Sequence, residues 1–120
     1  MTIYNGIPVQ CSPLQSILDR TVSPGKKKYF FDLMVIDVEG AELSALLGID
    51  FERMSFGIII VERNEDAAVN QRIVDLLVAK GYKESYVEDG CGANNMWYIA
   101  EDFPEIYQSL NPTNNFVRRR

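Results

Sequence analysis

A chain of 120 residues can build one domain with a real core, but not two. Its hydrophobic content of 47% and charged content of 24% are those of an ordinary soluble globular protein, and a net charge of −5 argues against general affinity for nucleic acid or anionic membranes. There is no histidine, which excludes His-based triads, imidazole metal ligands and the usual general base at neutral pH. No apolar run approaches the roughly 20 residues needed to span a bilayer, and the N-terminus lacks the apolar segment of a signal peptide. Cys11 and Cys91 are too few and too far apart for a disulfide framework, so a reduced, cytoplasmic setting is expected. The clusters Lys26-Lys27-Lys28 and Arg118-Arg119-Arg120 are short and read as solvated charge.

Taken in order, Thr2-Ile-Tyr4 and Ile7-Pro-Val-Gln10 flank Asn5-Gly6, a hairpin turn signal, with Pro8 confining the hairpin to an edge. Ser12 reads as an N-cap and Pro13 as the first residue of a short helix whose apolar stripe is Leu14, Ile17 and Leu18. That helix ends by Thr21, before the Ser23-Pro24-Gly25 turn.

Leu33 to Val38 is an apolar run interrupted only by Asp37, and after Gly40 the period changes so that Leu43, Leu46 and Leu47 share a helix face. This is the pattern of a buried strand feeding a helix over 41–47, with Gly48 as its left-handed stop. Ile49 to Ser55 connects to a second buried strand, 56–62, rich in β-branched residues. Asn64 or Asp66 caps the next helix, whose core face is Val69, Ile73, Leu76 and Leu77 and whose stop is Gly81. Tyr82 to Val87 reads as a third strand, Glu88 to Gly92 as a turn, and Asn95 to Ala100 as a fourth strand. Asp102 opens a last short helix, and 111–120 reads as a loose tail. The fold class expected is a single α/β domain over 1–110, three parallel strands joined by helical crossovers plus one antiparallel strand. With so few helices, one face or one edge of the sheet should be under-covered.

Ligands of open α/β sheets bind beyond the carboxyl ends of the strands. Asp37-Val-Glu39 and Glu62-Arg-Asn64 stand at two such ends, and adjacent strands would bring them together at one rim. Glu42 follows in the first helical turn. A helix start also favours carboxylates for its own sake, so Glu39 and Glu42 have an alternative reading as caps, and Glu62 as a partner of Arg63 or Arg53. Asp37, inside an apolar run, needs pairing, hydrogen bonds or a crevice.

The run Ile36-Asp-Val-Glu-Gly-Ala-Glu-Leu43, then Leu47-Gly48 and Ile59-Ile-Val-Glu62, resembles the FkbM-type family of S-adenosylmethionine-dependent methyltransferases. Val9 to Leu18 is similar to the family's segment ahead of the acidic strand, with Gln15 where an aspartate is frequent, and Gly81-Tyr82 and Asn94 to Tyr98 suit its last two strands. The resemblance implies a partial Rossmann-like sheet that is the C-terminal half of a methyltransferase domain. No glycine-rich strand–loop–helix for the cofactor is recognisable ahead of Phe31. It further implies Asp37, Glu39 and Glu62 as catalytic carboxylates, Glu42 and Asn64 as substrate-binding groups, and S-adenosylmethionine as cofactor, with the cofactor-binding residues unassigned. O-methyl transfer to a small molecule or sugar would then need completion by a second copy or an N-terminal-half partner, through the bare edge of strand 33–38. Two other readings stand beside it: a non-enzymatic assembly or regulatory half-domain, and a divalent-metal hydrolase using Asp37, Glu39 and Glu62.

Overall fold

The structure, a computed structural model, describes residues 6–22, 28–85 and 94–102. Its elements are α1 (Leu14–Thr21), β1 (Tyr29–Ile36), α2 (Glu42–Leu47), β2 (Met54–Glu62), α3 (Ala67–Ala79), β3 (Tyr82–Ser85) and β4 (Asn95–Ala100). The four strands form one mixed sheet in the order β1-β2-β4-β3. The expected α/β class is what is found, with a correction to the pairing. Only β1 and β2 pair in parallel, and β4 inserts between β2 and β3, antiparallel to both. β3 runs with β1 and β2 but reaches them only through β4. The cause lies in β4 itself: Met96 and Tyr98 are fully buried, and a central position buries them better than an edge would.

Most other differences fall at element ends. β1 ends at Ile36 and not Val38, so Asp37 stands just beyond the strand. The N-cap position of α1 is Pro13, with extended backbone and no side-chain cap, so Ser12 does not serve as one. Ile17 remains 40% exposed while Leu14 and Leu18 pack on the core. Gly48 closes α2 with φ −84°, not in the left-handed region. An added Cβ would lie 3.4 Å from the Ala45 carbonyl oxygen and 3.5 Å from Pro13 Cβ, ordinary contact distances, so neither backbone nor space demands glycine there. α1 is tied to that connector again by Gln15, whose Oε1 accepts the Asp50 amide at 3.3 Å. The expected partner strand at 2–4, the turn 88–92 and the last helix and tail lie outside the described residues.

The core is one cluster on one face. α1 gives it Leu14 and Leu18, α2 gives Leu46, and α3 gives Ile73 and Leu77. The other face carries a small cluster of Ile58, Ile60, Trp97 and Ile99, to which none of the described helices contributes. Leu33 and Val35 share that face through their register with Ile58 and Ile60, and are 53% and 60% exposed. Core-facing positions are Tyr29 and Phe31, then Met34 and Ile36, on β1; on β2 they are Met54 and Phe56, then Ile59 and Val61. The alternation slips by one residue in both strands at the same level, Asp32 beside Gly57, the one pair missing from an otherwise constant register.

Below the end of β4, the Phe56 amide has no ladder partner on that side and donates instead to the Tyr82 hydroxyl at 2.9 Å. Burial, partly offset by that amide, raises the Tyr82 phenol above its ordinary range. Tyr82→Phe leaves this buried amide unsatisfied and should cost about 1–3 kcal/mol. Urea unfolding should show a lower midpoint at an unchanged slope.

Candidate active site

The parallel register places Ile36 beside Val61, so the next positions along the strands are Asp37 and Glu62. On its other side Glu62 pairs with Asn95 of β4. Beyond Asp37 the chain turns sharply. The Ala41 amide donates to the Val38 carbonyl at 3.3 Å, and both central residues have positive φ, Glu39 at 52° and Gly40 at 97°. Glycine takes such a φ freely; a glutamate there costs about 1–2 kcal/mol and must be held in place.

Glu42 does the holding. It is 1% exposed, and its Oε1 accepts the amides of Val38 at 3.0 Å and Gly40 at 3.1 Å. Burial opposes the charge. The backbone amides of Glu42, Gly40 and Val38, with a contribution from the Asn64 side chain, outweigh it and hold the carboxyl below its ordinary range. The alternative reading of Glu42 as a helix cap is therefore corrected: Glu42 binds the turn in front of α2, and α2 has no side-chain cap.

The opposite wall is built after β2. Asn70, buried on α3, accepts the Asn64 amide at 2.8 Å and donates to the Asn64 carbonyl at 2.7 Å. The Asn64 side chain accepts the Asp66 amide at 2.8 Å, and Asp66 caps α3 by accepting from the Ala68 amide at 2.9 Å. Between the walls lies an open cleft of about 420 Å³, lined by Glu39, Gly40, Glu42, Glu62, Arg63, Asn64, Glu65 and Asn94.

The five residues expected at the site are all at this end of the sheet, in two groups. One oxygen each from Asp37, Glu42 and Glu62 lie within 4.8 Å of one another, while Glu39 and Asn64 line the cleft. A hydrogen bond that protonated Glu62 donates to Asp37, then partial burial and the charges of Asp37, Glu39 and Glu42, raise the Glu62 carboxyl above its ordinary range. Sequence reasoning assigned Glu42 to the substrate and missed Asn70. A glutamate two residues after a glycine turn, and an asparagine on the apolar side of a helix pattern, were the available signals.

A family model described as the methyltransferase FkbM domain matches residues 2–84. The chain belongs to the FkbM methyltransferase domain family. The match covers α1, the acidic turn and both parallel strands, and ends inside β3, so β4 lies beyond it. Comparison with the curated proteins and with the solved structures found no match. The four-stranded mixed sheet suits a methyltransferase-like fold. Among the described residues of this FkbM domain no helix is long and apolar enough to cross a membrane.

FkbM methyltransferases generally use S-adenosylmethionine. The described cleft does not fit that molecule whole: its lining offers carboxylates, amides and Arg63, with no apolar side chain to pack on an adenine ring.

Two predictions follow from the turn and its clamp. Glu42→Ala removes the acceptor of two amides and should cost about 2–4 kcal/mol by denaturant unfolding. Gly40→Ala, with room for the new carbon but a φ of 97°, should cost about 1–2 kcal/mol. The two acids also give opposite pH signs. Glu42, with its folded pKa depressed, adds stability above its unfolded value of 4.5 that is lost as pH falls through the folded value. Glu62, with its folded pKa raised, adds stability below 4.5 that is lost as pH rises through the folded value. Glu62→Gln should therefore gain on the wild type as pH rises above 4.5, read from paired unfolding curves.

Proposed function

We propose that this chain is the acceptor side of an O-methyltransferase acting on a hydroxyl of a small molecule or sugar. The observation that carries the proposal is the meeting of Asp37 with Glu62, which lines a polar cleft, in an FkbM methyltransferase domain. A carboxyl whose pKa is pushed upward is better matched to taking a proton near neutral pH than an ordinary one. In this reading Glu62 accepts the proton of the acceptor hydroxyl as its oxygen is methylated, and Asp37 tunes Glu62 and orients that hydroxyl. Glu39 and Asn64, on opposite walls, hold the rest of the acceptor. Glu42 acts by holding the turn that carries Glu39 and Gly40.

Methyl transfer depends on holding donor and acceptor in line, worth several orders of magnitude in rate. The donor, S-adenosylmethionine on the family's precedent, is held by residues outside the described cleft. We place that completion across β1, which has a hydrogen-bonded neighbour on one side only among the described strands and exposes Leu33 and Val35. A second copy or a separately encoded N-terminal half would supply it.

The test is transfer of a labelled methyl group from S-adenosylmethionine to a panel of sugars and hydroxylated small molecules, with light scattering on the same samples. Glu62→Gln should lower the rate by about 10²–10⁴-fold while the protein stays folded. Leu33→Lys should weaken self-association and transfer together. Transfer that is indifferent to both Asp37→Asn and Glu62→Gln would refute the assignment.

A further inference from the structure

We infer that Asp37, Glu42 and Glu62 form a binding site for a hard divalent cation. Three observations converge on it. The first is spacing: one carboxylate oxygen from each residue lies within 4.8 Å of the others. Ligand oxygens on opposite sides of an ion are separated by about 4.6–5.2 Å for Ca²⁺ and about 4.0–4.2 Å for Mg²⁺, with neighbouring ligands closer. The cluster therefore stands at ion-ligand separations without rearrangement of the backbone.

The second is an unsatisfied buried atom. Glu42 is 1% exposed, its Oε1 is committed to two amides, and its Oε2 accepts no hydrogen bond. A buried carboxylate oxygen with no donor is costly, and such atoms are few in folded proteins. The Asn64 side chain acts on this carboxyl as a weak hydrogen-bond donor, but no donor stands within 3.5 Å of Oε2. A cation beside Asp37 and Glu62 would satisfy it.

The third is access. Glu42 and Glu62 both line the open cleft, so the ion has an entry path and room for water at its remaining positions. An all-oxygen, all-carboxylate set selects hard cations such as Ca²⁺, Mg²⁺ or Mn²⁺ over Zn²⁺ or copper. The trio also differs from the one suggested by sequence, since Glu42 takes the place of Glu39. The binding does not depend on the methyl-transfer reading.

The experiment is calorimetric titration of the chelator-treated chain with CaCl₂, MgCl₂ and MnCl₂ separately, with thermal unfolding alongside and no methyl donor or acceptor present. One-site binding with a dissociation constant of about 10⁻⁶–10⁻³ M is expected for at least one ion. The thermal midpoint should rise by about 10 °C at a hundredfold excess over that constant. Which salt responds identifies the ion.

Asp37→Asn and Glu62→Gln should each abolish the response. Both residues are at least partly exposed, so the variants keep the fold and should match or exceed the wild type in stability without added ion. The exposed Glu52→Gln is the control and should respond like the wild type. The site is refuted by silence with all three salts to 10 mM, or by a response that survives in both site variants, which would mark diffuse attraction to an acidic surface.

Discussion

The parallel pairing of β1 with β2 is the constraint on which the rest of the molecule depends. It is the only parallel ladder among the described strands, and its register sets what stands beside what at the carboxyl end. With Ile36 beside Val61, the next residues along are two acids from strands far apart in sequence. A slip of one residue would turn one of them to the opposite face and dissolve the cluster. The hydrophobic core therefore does more than stabilise: Met34, Ile36, Ile59 and Val61 fix the geometry of polar groups that none of them touches chemically.

Around that register the chain holds negative charge at close quarters, and the two walls of the cleft manage it differently. On the α2 side, backbone amides from a turn with two positive-φ residues neutralise one Glu42 oxygen. On the α3 side, neutral asparagines do the work, Asn70 clasping both backbone groups of Asn64. Between Asp37 and Glu62 a shared proton, helped by burial and by repulsion from the neighbouring acids, raises the affinity of Glu62 for that proton. The same crowding that makes a carboxyl basic makes it attractive to a cation, so the methyl-transfer and metal-site proposals share one physical origin.

Much of the layout was legible in the sequence because it was written in periodicity. The continuous apolar runs announced β1 and β2, the 3.6-residue spacing announced α2 and α3, and the acids at the period change announced the rim. The failures have physical causes too. Strand order was left open because a short link between 85 and 95 specifies antiparallel pairing with β3 but says nothing of which side β4 joins, and burial of Met96 and Tyr98 decided it. Gly48 was taken for a left-handed stop, but its φ is −84° and a side chain there would meet only ordinary contacts. Glu42 was read by position in its helix, whereas its partners are amides in front of that helix, set by a turn whose shape local sequence only hints at. Asn70 was not singled out, because only the path of the chain after β2 gives it two backbone partners.

The shared slip of core-facing positions at Asp32 and Gly57 has a consequence for how this sheet tolerates change in length. Each strand carries its extra step at the same level, so the two irregularities cancel and the ladder resumes in phase. Removing the step from one strand alone would leave Met34 and Ile36 out of phase with Ile59 and Val61. The two positions thus behave as a matched joint, and an indel in either strand is survivable only when its neighbour changes by the same amount.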